Sequence, residues 1–357
     1  MYGTPVGAKK GEKMKKLITL LVALISAFTC VFAAGCGDEN EPKIYDDLIT
    51  PSASEETASV SVYAPDGAPA LAIAKFINDN ETFGTKKTFD YHVVAATEIN
   101  NAVISEKADM VIMPVNDATK IYKKADNGVD DYVMAAVITH GNFYVMSKSE
   151  IATVNDLIGK VVYVPMRGKV PDLTFQAALK INNIEYVESD TAVSGKVAIK
   201  YYNQPSEYLP LLKQNVSAIG LVPEPAATNA NANLGINYVL DLQEMYDGET
   251  KAYPQAVLMV KKSLVQDYPA LTAEIAVAMT DGVNWVKDNV ATAVETIKGK
   301  FSASTLNAAT LTPSAINNCK IYFQGSMTAK DQVKNYIAKI REVDKNSAST
   351  VGDEFFL

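Results

Sequence analysis

The residues best suited to bind or transform a small molecule stand singly or in groups of two or three, at turns that follow short apolar runs. Ten of them carry the prediction: Asp66, Gly67, Ala68, Asn116, His140, Gly141, Arg167, Gly168, Tyr202 and Glu224. Six of them have polar side chains that give or accept hydrogen bonds, and glycine lets a backbone approach a ligand closely. A lone arginine in a glycine-containing turn suits a carboxylate, sulfonate or phosphate, because its planar fork donates hydrogen bonds in pairs. The set therefore predicts a site for a small polar or anionic molecule.

Most of these residues also have a plain structural interpretation. Asp66 and Asn116 precede predicted helices, where either side chain suits an N-cap. Arg167 is also compatible with a solvated surface position, and His140 with a polar hinge turn that touches no ligand. Both interpretations stay open for each of the four residues.

Tyr202 and Glu224 can also either contact a ligand or have a purely structural role. A tyrosine ring near a strand end can stack on a flat ligand such as a pyrimidine, but it more often packs half-buried. Glu224 stands between Pro223 and Pro225, which fix its position along the backbone. Its carboxylate can accept a hydrogen bond from a ligand amine or connect two lobes of the fold.

Motifs for catalysis, metals and cofactors are missing from the sequence. His92 and His140 are 48 residues apart, and neither HExxH nor CxxC occurs, so we predict no metal site. G-x-S-x-G, P-loop and G-x-G-x-x-G patterns are also missing, so we predict no catalytic residue and no cofactor. Cys319 lies in a stretch of helical pattern, which favours a buried structural cysteine.

The N-terminus has the pattern of an export and anchoring signal. A basic pair, Lys15 and Lys16, precedes an apolar run over residues 17–34, which ends in Ala33-Ala34-Gly35-Cys36 and resembles a bacterial lipobox. Residues 1–36 are therefore predicted to be a lipoprotein signal with Cys36 as the lipidated residue, and residues 37–57 a flexible polar tether. An uncleaved membrane anchor and an ordinary signal peptide are the alternatives.

The length and charge of the chain narrow its class further. A chain of 357 residues exceeds what one hydrophobic core usually organises, so we expect two lobes. The formal net charge is −8, and an acidic surface repels phosphate backbones. Nucleic acid is therefore not an expected partner.

From residue 59 onward, short apolar runs alternate with segments of helical period, which is typical of βαβ units and an α/β fold. The pattern restarts near residue 153. Extended runs near residues 139–148 and 246–256 predict two hinge crossings between similar halves. We assign residues 58–146 and 253–357 to lobe 1, with a helical C-terminal part, and residues 147–252 to lobe 2.

Four segments together resemble a known family, and they are YAPDGAPA (63–70), KADMVIMPVNDA (107–118), DLIGKVVYVP (156–165) and SAIGLVPEP (217–225). The chain resembles the solute-binding lipoproteins of ABC importers, in the NMT1/THI5-like branch of nitrate-, sulfonate-, taurine- and thiamine-precursor-binding proteins. The resemblance implies a two-lobed periplasmic-binding-protein fold of type 2, with a ligand cleft between the lobes. It also implies an ABC permease as partner, and an extracytoplasmic monomer held to the membrane through its lipid.

The ligand is expected where strands lead into helices, because open α/β sheets bind ligands outside the carboxyl ends of their strands. The favoured function is capture of a small polar or anionic organic molecule for an importer, without catalysis. Two alternatives stay open. One is an enzyme of the same fold that acts on a pyrimidine-like precursor, and the other is an extracellular sensor or adhesin.

Overall fold

The computed structural model describes residues 59–84, 88–124 and 132–357, which belong to one compact unit. The predicted signal, lipobox and tether, residues 1–57, lie outside the described residues. Within the described residues, no helix is both long enough and apolar enough to cross a bilayer.

Strands and helices alternate along most of this unit. The strands are β1 Val60–Pro65, β2 Phe89–Val94, β3 Met110–Pro114, β4 Tyr132–Thr139, β5 Phe143–Ser147, β6 Val161–Pro165, β7 Tyr186–Glu188, β8 Val197–Tyr202, β9 Ile219–Pro223, β10 Asn237–Asp241, β11 Ala256–Lys261 and β12 Ile321–Gly325. The helices are α1 Ala68–Asp79, α2 Ile99–Ile104, α3 Val115–Lys124, α4 Val170–Ile181, α5 Leu209–Gln214, α6 Ala226–Leu234, α7 Leu242–Tyr246, α8 Lys262–Asp267, α9 Leu271–Asp288, α10 Val290–Lys300, α11 Pro313–Asn318 and α12 Ser326–Val343.

The strands form two six-stranded sheets of similar order, one in each lobe. The first runs β12-β4-β11-β3-β1-β2, and the second runs β10-β5-β9-β6-β8-β7. In the first sheet β1, β2 and β3 are parallel, while β11 is antiparallel to both β3 and β4. The carboxyl ends of β1 to β4 therefore share one edge, and the second sheet repeats this arrangement with β6 to β9.

Two crossings connect the sheets. Residues 140–142 lead from β4 to β5, and residues 247–255 lead from α7 to β11. The lobe assignment from the sequence ends lobe 1 at residue 146, whereas Phe143–Ser147 pairs with β9 and so belongs to the second sheet. The apolar run of β5 looks the same in either sheet, so its partner could not be identified from its residues.

The C-terminal section, which the sequence pattern predicts to be helical, contains one strand after α11. Ile321–Gly325 instead pairs with the edge of the first sheet as β12, where the residues Ile-Tyr-Phe suit an extended conformation.

Helix α12 packs on both lobes. It contacts β4 in lobe 1 and α4 in lobe 2, so one apolar core continues from one lobe into the other. At its centre the Tyr336 hydroxyl lies 2.7 Å from the Thr174 hydroxyl of α4. The Tyr336 ring also stacks on Tyr253 of the second crossing, with ring centroids 5.7 Å apart. The opposite faces of the two sheets have separate cores.

Candidate ligand-binding site

Four turns leave the carboxyl ends of strands and lead into helices, as the sequence pattern predicts. They follow β1, β3, β6 and β9. Gly67, Gly168 and Glu224 lie in these connections, whereas α3 starts directly after β3, so Asn116 lies in the first turn of α3 and is not its N-cap. Contacts across the lobes show that these edges meet. The Lys169 ammonium at the start of α4 lies 3.0 Å from the Asp117 carboxylate in the first turn of α3. The Asn318 amide of α11 donates to Glu224 at 3.2 Å.

Asp117 is almost fully buried, and its carboxylate is well provided with donors. Asn100 donates to one oxygen at 3.0 Å, and the Asn116 amide lies 3.4 Å from the other. Lys169 supplies a positive charge from the second lobe, while Lys120 lies farther away at 3.9 Å. The Asp117 carboxylate therefore connects the two lobes, and the Lys169 ammonium is paired with it.

Glu224 is a second buried carboxylate between the lobes. It accepts hydrogen bonds from the Thr228 amide at 3.0 Å, the Thr228 hydroxyl at 3.1 Å and the Tyr238 hydroxyl at 2.6 Å. The Asn318 amide adds the contact from lobe 1. Glu224 can either accept a hydrogen bond from a ligand amine or connect the two lobes, and its contact with Asn318 makes the connection between lobes.

His140 lies at the first crossing and is completely buried. Its ring stacks on Tyr322 with centroids 3.5 Å apart, and its Nε2 lies 3.0 Å from the Gln324 side-chain oxygen. Burial lowers the pKa of His140 to about 4, although the bonds to Gln324 and Lys320 oppose the shift. The imidazole is therefore uncharged at neutral pH.

Gly141, the next residue, has a φ of +85°, and a Cβ there would lie 2.7 Å from Gln243 and from Tyr253. The first crossing therefore requires glycine at this position for both its conformation and its packing.

Arg167 lies at the rim of lobe 2, with 64% of its side chain exposed. Its guanidinium pairs with Glu188 and stands 5.0 Å from the centre of the Tyr201 ring. These residues border a surface cavity of about 370 Å³, which also includes Asp172 and Gly168. The Gly168 amide donates to Asp172 at 2.8 Å, and burial raises the pKa of that carboxyl.

Asp66 organises a neighbouring loop. Its carboxylate accepts from the Ser304 hydroxyl at 2.6 Å and from the Thr305 amide at 3.0 Å, and it caps no helix. Gly67 has a φ of +99° and open space where a Cβ would stand, and Ala68 is buried behind it.

Tyr202 is half-buried at the carboxyl end of β8. Its ring packs edge-on against Tyr163, with ring centroids 5.3 Å apart. The centroid of the buried Tyr208 ring also lies 5.3 Å from that of Tyr202. Packing thus occupies at least part of the ring that was considered for stacking on a ligand.

Six buried side-chain oxygens in the described part of the chain have no hydrogen-bond partner within the protein. They belong to Asn100, Asn116, Thr139, Asn142, Tyr253 and Gln255, and the Tyr253 hydroxyl lies close to the Thr174 hydroxyl. Two lie beside Asp117, and the other four lie in the crossings or at their ends, so none lies in the core of a single lobe. Buried polar groups are paired with protein or ordered water in the great majority of cases, so this concentration identifies a candidate region for a bound molecule.

Backbone contacts place three of the six on adjacent strand ends. The Val115 amide donates to the Gln255 carbonyl at 3.1 Å, and the Gln255 amide donates to the Thr139 carbonyl at 2.9 Å. Asn116 follows Val115, so Asn116, Gln255 and Thr139 line one edge of the first sheet. Of the six, only Asn116 is in the predicted set. Four of the missed residues, Thr139, Asn142, Tyr253 and Gln255, share one sequence signal, a polar residue beside a hinge strand, whereas Asn100 lies in the first turn of α2.

Metal-ligand groups give no competing site. No cluster of three or more His, Cys, Asp or Glu residues suited to a metal ion occurs in residues 59–84, 88–124 and 132–357. Cys319 is fully buried, as expected for a structural cysteine, and burial raises its pKa well above the usual value.

No protein-family model matches the chain, and no curated protein matches its sequence. Solved structures do match. An ABC transporter structure from Parabacteroides distasonis is 17% identical with a TM-score of 0.66, covering 84% of this chain and 98% of its own. The periplasmic aliphatic sulphonate binding protein SsuA from Escherichia coli is 11% identical with a TM-score of 0.59, covering 81% and 87%.

A third similar structure is the zinc-bound ligand-binding component of an ABC-type import system from Staphylococcus aureus. It is 11% identical with a TM-score of 0.57, and the match covers 84% of this chain and 96% of its own. Identities this low establish the fold alone. The two-lobed periplasmic-binding-protein fold of type 2 is thereby confirmed.

Proposed function

We propose that this chain is an extracytoplasmic solute-binding lipoprotein that captures a small polar organic molecule between its lobes and delivers it to an ABC importer. The observation that carries the proposal is the group of unpartnered buried oxygens at the crossings and beside Asp117. Each such atom costs about 1–3 kcal/mol when it stays unpaired, and a bound solute that pairs with several of them would offset that cost.

The arrangement of the lobes supports capture. The Lys169–Asp117 pair connects the start of α4 with the first turn of α3 in the opposite lobe, and the Asn318–Glu224 hydrogen bond connects the end of α11 with the turn after β9. A solute held between these turns would touch both lobes and favour their closed arrangement. Proteins of this fold in the comparisons include import components, which supports a permease as the partner.

The candidate ligand contacts follow from both the sequence and the geometry. Gly67 and Ala68 at the start of α1, and Gly168 at the start of α4, offer backbone close to the interlobe edge. Asn116 adds a buried amide oxygen. Asp66, His140, Gly141, Arg167, Tyr202 and Glu224 position these elements through their own partners.

The test of capture uses the full chain, purified in detergent without refolding. Small molecules released by denaturing it are identified by mass spectrometry, and each is then titrated back by calorimetry. We expect one solute to rebind stoichiometrically and to be recovered unchanged after incubation. We also expect cells in which the gene is deleted to lose uptake of that solute. A solute that returns chemically altered would contradict the proposal and favour an enzyme.

Anchoring has its own test, in which Cys36 is replaced by Ala and labelled fatty acid is followed on the protein. We expect Cys36→Ala to lose both the label and the membrane fraction. Cys319→Ala is the matched control, because that thiol is fully buried and unavailable for modification. Retention of the label in Cys36→Ala would refute the lipid anchor and leave the fold and the capture of solute unaffected.

A further inference from the structure

We infer that the site between the lobes takes a neutral or positively charged ligand that presents several N–H or O–H donors, and that it disfavours oxyanions. This inference rests on the proposed function and specifies the chemistry of its ligand. It departs from the expectation, drawn from Arg167, that an anionic ligand is also suitable.

The first argument is that neighbouring groups fix the orientation of three amide side chains. The Asn116 nitrogen donates to the Ser347 carbonyl at 3.2 Å and lies 3.4 Å from the Asp117 carboxylate. The Asn100 nitrogen donates to Asp117 at 3.0 Å, and the Asn142 nitrogen donates to the Glu224 carbonyl at 3.3 Å. All of these partners are acceptors, so turning any amide over would set oxygen against oxygen.

The consequence is that the group left unpaired on each amide is its carbonyl oxygen, which only accepts hydrogen bonds. Gln255, whose backbone bonds to Val115 and Thr139, carries another unpaired amide oxygen. The Thr139 hydroxyl is also unpaired, and it can accept as well as donate. A ligand must bring donors to satisfy this set, and a sulfonate, nitrate or carboxylate brings only acceptors.

The second argument concerns the positive charges that would hold an anion. Glu188 pairs with the guanidinium of Arg167, and Asp117 pairs with the ammonium of Lys169. His140 is neutral at physiological pH because it is buried. The Asp117 carboxylate also lies in the first turn of α3, where it opposes binding of a second negative group.

The test compares ligands of matched shape that differ in donors and charge. Benzamidine, benzamide and benzoate share a flat ring, and acetamidine, acetate and methanesulfonate form a smaller series. Each is added to the full chain in detergent, and the change in melting temperature and the Kd are measured. We expect stabilisation in the order amidine, then amide, with none from the oxyanions.

Thr139→Val identifies the site of any effect. Valine has nearly the same shape as threonine and removes a hydroxyl that has no partner in the protein, so the variant should fold without loss of stability. We expect its Kd for the amidines to rise about two- to tenfold, which corresponds to one hydrogen bond. Thr280→Val is the matched control, because it removes the same group from an exposed helix position on α9.

Each contrary result has a definite meaning. Stronger stabilisation by benzoate, acetate or methanesulfonate than by the amidines overturns the inference and leaves solute capture standing. Amidine binding that Thr139→Val does not weaken overturns it as well, because the ligand then lies elsewhere. If no probe stabilises the protein, the inference also fails, while the solute recovered from the native chain still decides the proposed function separately.

Discussion

Gly141 at the first crossing is the position where one added methyl group should disturb the structure most clearly. Its φ of +85° is unfavourable for any side chain, at a cost of about 1–2 kcal/mol. A Cβ would also lie 2.7 Å from Gln243 Cγ and from Tyr253 Cε1. Gln243 cannot easily yield, because its oxygen accepts from the Phe143 amide at 3.0 Å and its nitrogen donates to Asp241 at 2.7 Å. Overpacking of this kind costs about 1–3 kcal/mol more.

Gly141→Ala should therefore lower the free energy of unfolding by about 2–5 kcal/mol, measured by urea denaturation with the full chain in detergent. Gly195→Ala separates the two contributions, since Gly195 has a φ of +75° and no atom lies within 4 Å of the place that its added methyl group would take. We expect that control to lose about 1–2 kcal/mol. Equal losses in the two variants would refute the claim that Gln243 and Tyr253 pack tightly against the crossing.

Two further predictions concern the interior between the lobes. His140 has a folded pKa of about 4, below the ordinary 6.5, so its contribution of about 3 kcal/mol to the free energy of unfolding is complete above pH 6.5 and is lost as pH falls towards 4. Urea unfolding across this range should show a free energy of unfolding that depends less on pH in His140→Gln than in the parent chain. Parallel profiles in the two proteins would contradict the buried neutral imidazole. Thr174→Val and Tyr336→Phe should be coupled by about 0.5–1.5 kcal/mol in a double-mutant cycle, because their hydroxyls lie 2.7 Å apart in a buried contact between lobe 2 and α12; strictly additive losses would show that the contact contributes nothing.

Much of the fold could be predicted from the sequence because its signals are local. Apolar runs such as Asp109–Val115 followed by helical periods mark each βα unit, and their repetition indicates two lobes. The position of β5 was harder to predict, because its apolar residues suit either sheet and only its pairing with β9 decides. The dual packing of α12 is equally non-local, since a helix's apolar stripe does not specify which lobes it will touch.

The chemistry of the candidate site was harder to predict from the sequence than the strand-to-helix connections around it, and the reason is physical. The turns after β1, β3, β6 and β9 were correctly located, because a strand-to-helix turn has a recognisable sequence. What a polar residue offers a ligand depends on which of its atoms remain unpaired, and its partners come from distant parts of the chain. Ser347 fixes the Asn116 amide from 231 residues away, and Glu188 neutralises Arg167 from 21 residues away.

That dependence on distant partners also explains why a lone arginine suggested an anion while the folded site presents acceptors. A guanidinium binds an anionic ligand only if no carboxylate of the protein already pairs with it, and Glu188 pairs with Arg167. An asparagine counts as donor or acceptor according to which end its neighbours engage, and Ser347 together with Asp117 engages the nitrogen of Asn116. The ligand therefore has to complement the oxygen that remains, and donors on the ligand meet that requirement where an oxyanion does not.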